Sequence, residues 1–155
     1  MTVLSRRNLI LAAAGGSAVV LLGAFGFQHL GDMPPCKLCL WQRWPHAAAI
    51  VLAVPALLTH ARLWPYLGAL AAVATAVIGG YHTGVERKWW EGPSSCTGTD
   101  ISGLSTDDLM AQIMAAPVIR CDEVPWEMFG LSMATYNMLG SLVLAALWLW
   151  AARRT

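Results

Sequence analysis

Four long apolar stretches divide the chain, and the polar residues gather in the gaps between them. Leu9 to Gln28 carries no charge. Trp44 to Thr59 is shorter and contains Pro55, and the span is taken to about residue 62. Leu63 to Thr83 is rich in Ala and Gly, and Leu131 to Ala151 closes the set. A membrane helix needs about 20 mainly apolar residues. The pattern therefore predicts spans at about 9–28, 44–62, 63–83 and 131–151, joined by polar loops at about 29–43 and 84–130. Pro55 is compatible with a span, because neighbouring helices can satisfy the backbone groups it frees. Gly80 and Gly84 have the spacing that permits close helix approach, read as packing within one bundle. The expected fold is all-α: a four-transmembrane-helix bundle, with residues 1–155 forming a single integral membrane domain.

Composition supports this reading. The chain is 57% hydrophobic and 12% charged, against roughly 25% charged in a soluble domain. A net charge of +1 gives no sign of a nucleic-acid partner. The third loop is the one large polar region. In it, Ser105 can cap a short helix with Asp108 as a weak capping-box partner. Leu109, Met110, Ile113 and Met114 recur at helical spacing and Pro117 stops the run, so the helix is expected to lie at the bilayer surface or on a small core outside it. Trp41, Trp44, Trp89, Trp90 and Trp126 fall near one predicted boundary and Trp64, Trp148 and Trp150 near the other, as interfacial anchors do.

The four cysteines all fall in the first and third loops: Cys36 and Cys39 in one, Cys96 and Cys121 in the other. With four spans these loops share one side, so all four thiols face one compartment. Arg6, Arg7, Arg62, Arg153 and Arg154 flank the opposite ends, which favours cytoplasmic termini, and all nine acidic residues lie on the cysteine side. The cysteine loops are then expected to face the periplasm or exterior, where disulfides persist. Ser5-Arg6-Arg7-Asn8-Leu9-Ile10 also resembles the start of a twin-arginine export signal. The long apolar run and the further spans favour a basic cytoplasmic flank instead.

Cys36-Lys37-Leu38-Cys39 can close a short disulfide or contribute two metal ligands. A zinc site would want two further ligands at compatible spacing. Cys96 and Cys121 are a poor match for that, and His29, His46, His60 and His82 are scattered, so no metal is expected. Disulfides that merely brace the loops of a non-enzymatic four-span protein are the other plain reading. Arg43 follows Cys39 by one helical turn. A permanent cation there would favour thiolate over thiol at Cys39 and would equally stabilise a reduced quinone oxygen, whereas an isolated Arg at that depth would simply snorkel to lipid phosphate.

The segment Cys36-x-Leu38-Cys39-x-x-Gln42-Arg43 directly after the first span resembles the DsbB-type disulfide-bond-formation membrane oxidoreductases. So do Tyr81-His82-Thr83-Gly84-Val85-Glu86, Gly92-Pro93-Ser94-Ser95-Cys96, and Cys121-Asp122-Glu123-Val124-Pro125-Trp126 followed by Phe129-Gly130-Leu131-Ser132. The resemblance covers essentially the whole chain, although the loop between Cys96 and Cys121 is compact and Gln42 stands where some members have Glu. It implies a multi-pass protein of the bacterial inner membrane that relays electrons. A DsbA-like periplasmic thioredoxin-fold protein would be oxidised by a Cys96–Cys121 disulfide, with Cys96 forming the mixed disulfide. Cys121 would then exchange with Cys36, and a membrane quinone (ubiquinone or menaquinone) would regenerate the Cys36–Cys39 disulfide. Arg43 and His82 are the expected quinone neighbours. A vitamin-K-epoxide-reductase-like enzyme is disfavoured, since its Cys-x-x-Cys would sit late in the bundle.

Overall fold

Each apolar stretch forms a helix, and three of the four helices begin at a side chain that accepts a backbone N–H. In the computed structural model, which describes residues 5–93 and 120–154 together with 105, 107 and 110, α1 spans Arg6–His29, α2 Lys37–Leu58, α3 Leu63–Glu86 and α4 Met133–Arg153. Ser5 caps α1 by accepting from the Asn8 N–H, and Ser132 caps α4 by accepting from Thr135. At α2 the cap is a sulfur, Cys36, which accepts from the Cys39 N–H. Such caps satisfy donors that the helix itself leaves orphaned.

Among the described residues α1, α3 and α4 are long and apolar enough to cross a membrane. The 22-residue α2 starts two turns before the expected Trp44. The added turns hold Gln42 and Arg43, followed by Pro45 and His46, and these polar groups hide the helix from a search for apolar runs. Pro55 lies inside α2 as expected, and so does Pro45.

The helices form a closed ring: α1 packs on α2 and α4, and α3 packs on the same two. Its interior is lined by small residues, including Ala13, Ala53, Ala56, Ala69, Ala72, Ala145 and Ala151, with Leu9, Ile10, Leu144 and Trp148 filling the space between them. Small residues let helices approach closely where lipid supplies no hydrophobic drive. At Gly79 a Cβ would stand 3.2 Å from the Ala134 carbonyl and the Met138 nitrogen of α4. Gly80 faces Met138, whereas Gly84 seats the Trp90 ring rather than another helix. Leu22, Val51, Leu70 and Val143 face outward, as lipid-exposed positions do.

Trp148 departs from its expected role as an interfacial anchor. It is wholly buried against Gly68 at the centre of the ring. An indole reads the same in sequence whether it points to lipid or to a neighbouring helix. At this same end Arg6 crosses from α1 and donates to the carbonyls of Ala56, Thr59 and Ala61, at 2.8, 3.1 and 3.3 Å. It thereby caps the C-terminus of α2.

The other end carries the sulfur. There the C-termini of α1 and α3 meet the N-termini of α2 and α4. A two-residue hairpin, β1 Glu127–Met128 with β2 Leu131–Ser132, leads into α4 with Glu127 opposite Ser132. Both turn residues, Phe129 and Gly130, have positive φ (53° and 73°). This matches the twist of a tight hairpin, but Phe-Gly is not the usual sequence for it. Cys96 lies outside the described residues, as does the body of the short helix expected after Ser105.

Candidate active site

The first turn of α2 places two sulfurs together. Cys36, as the cap, and Cys39, one turn on, have their Sγ atoms 2.8 Å apart, with the Cys39 N–H 3.2 Å from the Cys36 sulfur. Both are free cysteines, Cys36 buried and Cys39 partly exposed. Two sulfurs this close titrate as a unit. The hydrogen bond to Cys39, and then burial, push the Cys36 thiol well up from its ordinary value.

Cys121 reaches the same place from the third loop. It is fully buried, packed in one cluster with Cys36, Leu38 and Val85, and Cys39 lies against that cluster. It is also disulfide-bonded. On either side of it, Arg120 grips Asp122 through Nε and Nη2 at 3.0 and 2.7 Å. That two-point contact holds the Asp122 carboxyl below the usual range.

His82, in the last turns of α3, is buried beside the dithiol. Its Nε2 lies 3.6 Å from the Cys36 sulfur and 3.8 Å from Glu86 Oε1. Ser132 donates to the other oxygen of Glu86. On the far side of the ring, Nδ1 faces the Gln42 amide nitrogen at 3.1 Å. Gln42 begins a polar ladder that descends between the helices. Asn137 Nδ2 donates to Gln42 Oε1 at 2.7 Å and to Thr75 Oγ1 at 3.1 Å, Thr75 donates to the Gln42 carbonyl, and His46 Nε2 meets Asn137 Oδ1 at 2.9 Å. Polar side chains inside spans are costly and by default functional. Thr75 and Asn137 lie in the expected apolar spans, and Gln42 in the expected first loop. Only the fold reveals that they meet.

Arg43 turns away from the sulfurs. It donates to Gln28 Oε1 at 2.6 Å and to the Ala24 carbonyl at 3.2 Å, and its guanidinium lies over the Phe25 ring. It therefore fastens α2 to the end of α1. Its Nε, however, is buried without a hydrogen-bond partner. The two sulfurs and a His82 ring nitrogen lie within 4.8 Å of one another, which makes Cys36, Cys39 and His82 the group that can hold a metal among the described residues. The scattered histidines of the sequence gave no hint of it.

A paired dithiol and a buried disulfide-bonded cysteine, at one end of an all-helical bundle with membrane-crossing helices, define a multi-pass membrane protein of thiol–disulfide chemistry. Residues 6–151 match the family described as Disulfide bond formation protein DsbB, and the chain belongs to that family. It is similar to the Disulfide bond formation protein B of Herminiimonas arsenicoxydans, at 30% identity over 96% of each chain. It is also similar to that of Azoarcus sp. (strain BH72), 30% identical over 97% of this chain and 95% of the relative. The corresponding protein of Acidovorax sp. (strain JS42) is 31% identical over 92% and 84%. No solved structure gives a comparable match.

Proposed function

We propose that the chain oxidises a reduced, DsbA-like thioredoxin-fold protein in the periplasm and delivers the electrons to a membrane quinone. The observation that carries this reading is the packing of Cys121 against Cys36 while Cys36 and Cys39 form a close pair. Two buried sulfurs with a third, partly exposed one against them support exchange among the three. In this reading residues 1–155 form one integral membrane domain of the bacterial inner membrane, with cytoplasmic termini and periplasmic cysteines.

The steps balance as two thiols in and one disulfide out. A partner thiolate attacks Cys96 of a Cys96–Cys121 disulfide, and Cys121 leaves as the thiolate. Cys121 then attacks Cys36 of a Cys36–Cys39 disulfide, releasing Cys39. The partner's second thiol resolves the mixed disulfide at Cys96, and Cys96 in turn resolves Cys121 from Cys36. The dithiol left at Cys36 and Cys39 must lose two electrons and two protons. A quinone, when bound, would supply that two-electron, two-proton sink. The unpartnered, buried Nε of Arg43 fits such a ligand, being a donor ready for a ring oxygen one helical turn from Cys39. His82, with Nε2 3.6 Å from the Cys36 sulfur, is the second residue that would flank the ring. Thiolate attack needs access and a good leaving group, and the partial exposure of Cys39 leaves one sulfur open.

The test is to combine the purified protein, a reduced thioredoxin-like dithiol and a soluble quinone, and to follow quinone absorbance. Turnover that requires all three components and disappears in Cys36→Ser and Cys39→Ser is expected. Full activity in either variant would refute the relay and favour loop-bracing disulfides.

A further inference from the structure

The buried ladder has a direction, and that direction reaches the sulfur. The Gln42 amide nitrogen faces the Leu38 carbonyl at 3.2 Å, which can only accept. The Gln42 oxygen receives the Asn137 amide nitrogen. Asn137 is itself oriented, because its nitrogen has two oxygens to serve, Gln42 Oε1 and Thr75 Oγ1. Thr75 has committed its own proton to the Gln42 backbone carbonyl. A flip of either amide would set donor against donor or oxygen against oxygen. The NH2 of Gln42 therefore also points at His82 Nδ1, and this ring nitrogen must accept.

A neutral imidazole that accepts at Nδ1 carries its proton at Nε2. Everything facing Nε2 agrees. The Cys36 S–H is directed at the Cys39 sulfur, which leaves the Cys36 lone pairs to accept, and the Glu86 carboxylate accepts as well. We infer that Gln42 is a positioning residue which fixes His82 as the Nε2–H tautomer, so that the imidazole delivers an N–H to the sulfur of Cys36. An anionic Cys36 then has two donors, the Cys39 backbone N–H and the His82 ring. In this tautomer His82 stabilises the thiolate rather than removing its proton, and it presents a hydrogen, not a lone pair, to any cation arriving at the sulfurs.

The proposed relay gives the tautomer its use, but the tautomer is measurable without quinone or partner, so either idea can fail alone. Full-length protein labelled with 15N-histidine in detergent micelles, with His82 assigned by comparison with His82→Asn, is expected to show a protonated Nε2 and a bare Nδ1. A protonated Nδ1 in the unaltered chain would overturn the inference. In Gln42→Glu the donor becomes an acceptor while Asn137 keeps its partner, so Nδ1 is expected to gain a proton. A bare Nδ1 there also overturns it. Gln42→Met keeps the bulk and removes the amide. It is expected to mix the tautomers and to slow alkylation of reduced Cys36 about tenfold at fixed pH, the scale of one hydrogen bond to a charged group. If the ring signals and the alkylation rate both stay unchanged in Gln42→Met, Gln42 is only packing.

Discussion

Cys36 is pulled two ways by its surroundings. Its hydrogen bond to Cys39 and its burial raise the cost of ionising it, while the backbone N–H groups of Cys39 and Leu38 lower that cost. The first pair of effects dominates, so the thiol form should persist through the pH range where ordinary cysteines ionise. Because the folded value is raised, its contribution to the stability of the reduced state is present below the ordinary thiol range and is lost as pH rises beyond it. Site-resolved mass spectrometry of alkylation in the reduced protein should show Cys36 reaching half its maximal rate at a higher pH than an exposed thiol. Reaction at the ordinary pH would mean that the sulfurs are not paired in the membrane. Arg43 yields a second expectation at this scale. If its free Nε serves a quinone oxygen, Arg43→Ala should raise the KM for quinone about tenfold, as loss of a charged hydrogen bond implies. Arg43→Lys should not restore it, since a single ammonium cannot hold Gln28, the Ala24 carbonyl and a ligand together. An unchanged KM would reduce Arg43 to a strut between α1 and α2.

At the scale of the helices, the spans were legible because crossing lipid demands a long apolar run, which needs no tertiary information. The start of α2 was not, because Lys37 to Arg43 forms helix through a capping sulfur and packing rather than through apolar content. The Phe129–Gly130 hairpin escaped for a related reason: the turn requires two positive φ values, and a Phe is not expected to supply one. Arg6 read as a charge beside a span, yet it closes the opposite end of α2. Helix C-termini leave carbonyls unsatisfied and attract cations. Arg6→Ala should therefore cost about 1–2 kcal/mol, seen as a Tm lowered by several degrees in detergent, with the dithiol chemistry at the far end intact. A variant that melts like the original protein would show that water satisfies those carbonyls equally well.

Across the whole molecule, parity in the sequence put all four cysteines on one side, and the three described ones do gather at one end of the ring. What parity could not supply was depth. Gln42, Thr75, His82 and Asn137 belong to three different helices, and their meeting point depends on how those helices turn toward each other. Depth also separates the roles of the loop cysteines. Cys121 is fully buried in one cluster with Cys36, Leu38 and Val85, so its sulfur is closed to a bulky soluble partner. In the proposed relay a sulfur so placed serves the inward exchange with Cys36, and Cys96 is the point of entry. In the proposed relay, Cys121→Ala removes the thiol that would release Cys96 from an adduct. Give this variant a thioredoxin-like partner that keeps one cysteine, activated as a mixed disulfide with a small thiol. The Cys96 thiolate should displace the small thiol, and the adduct should persist because neither chain can cleave it. Peptide mapping is expected to find the partner on Cys96. Recovery on Cys36 would mean that the buried pair opens to the outside directly, and the order of transfer would have to be reversed.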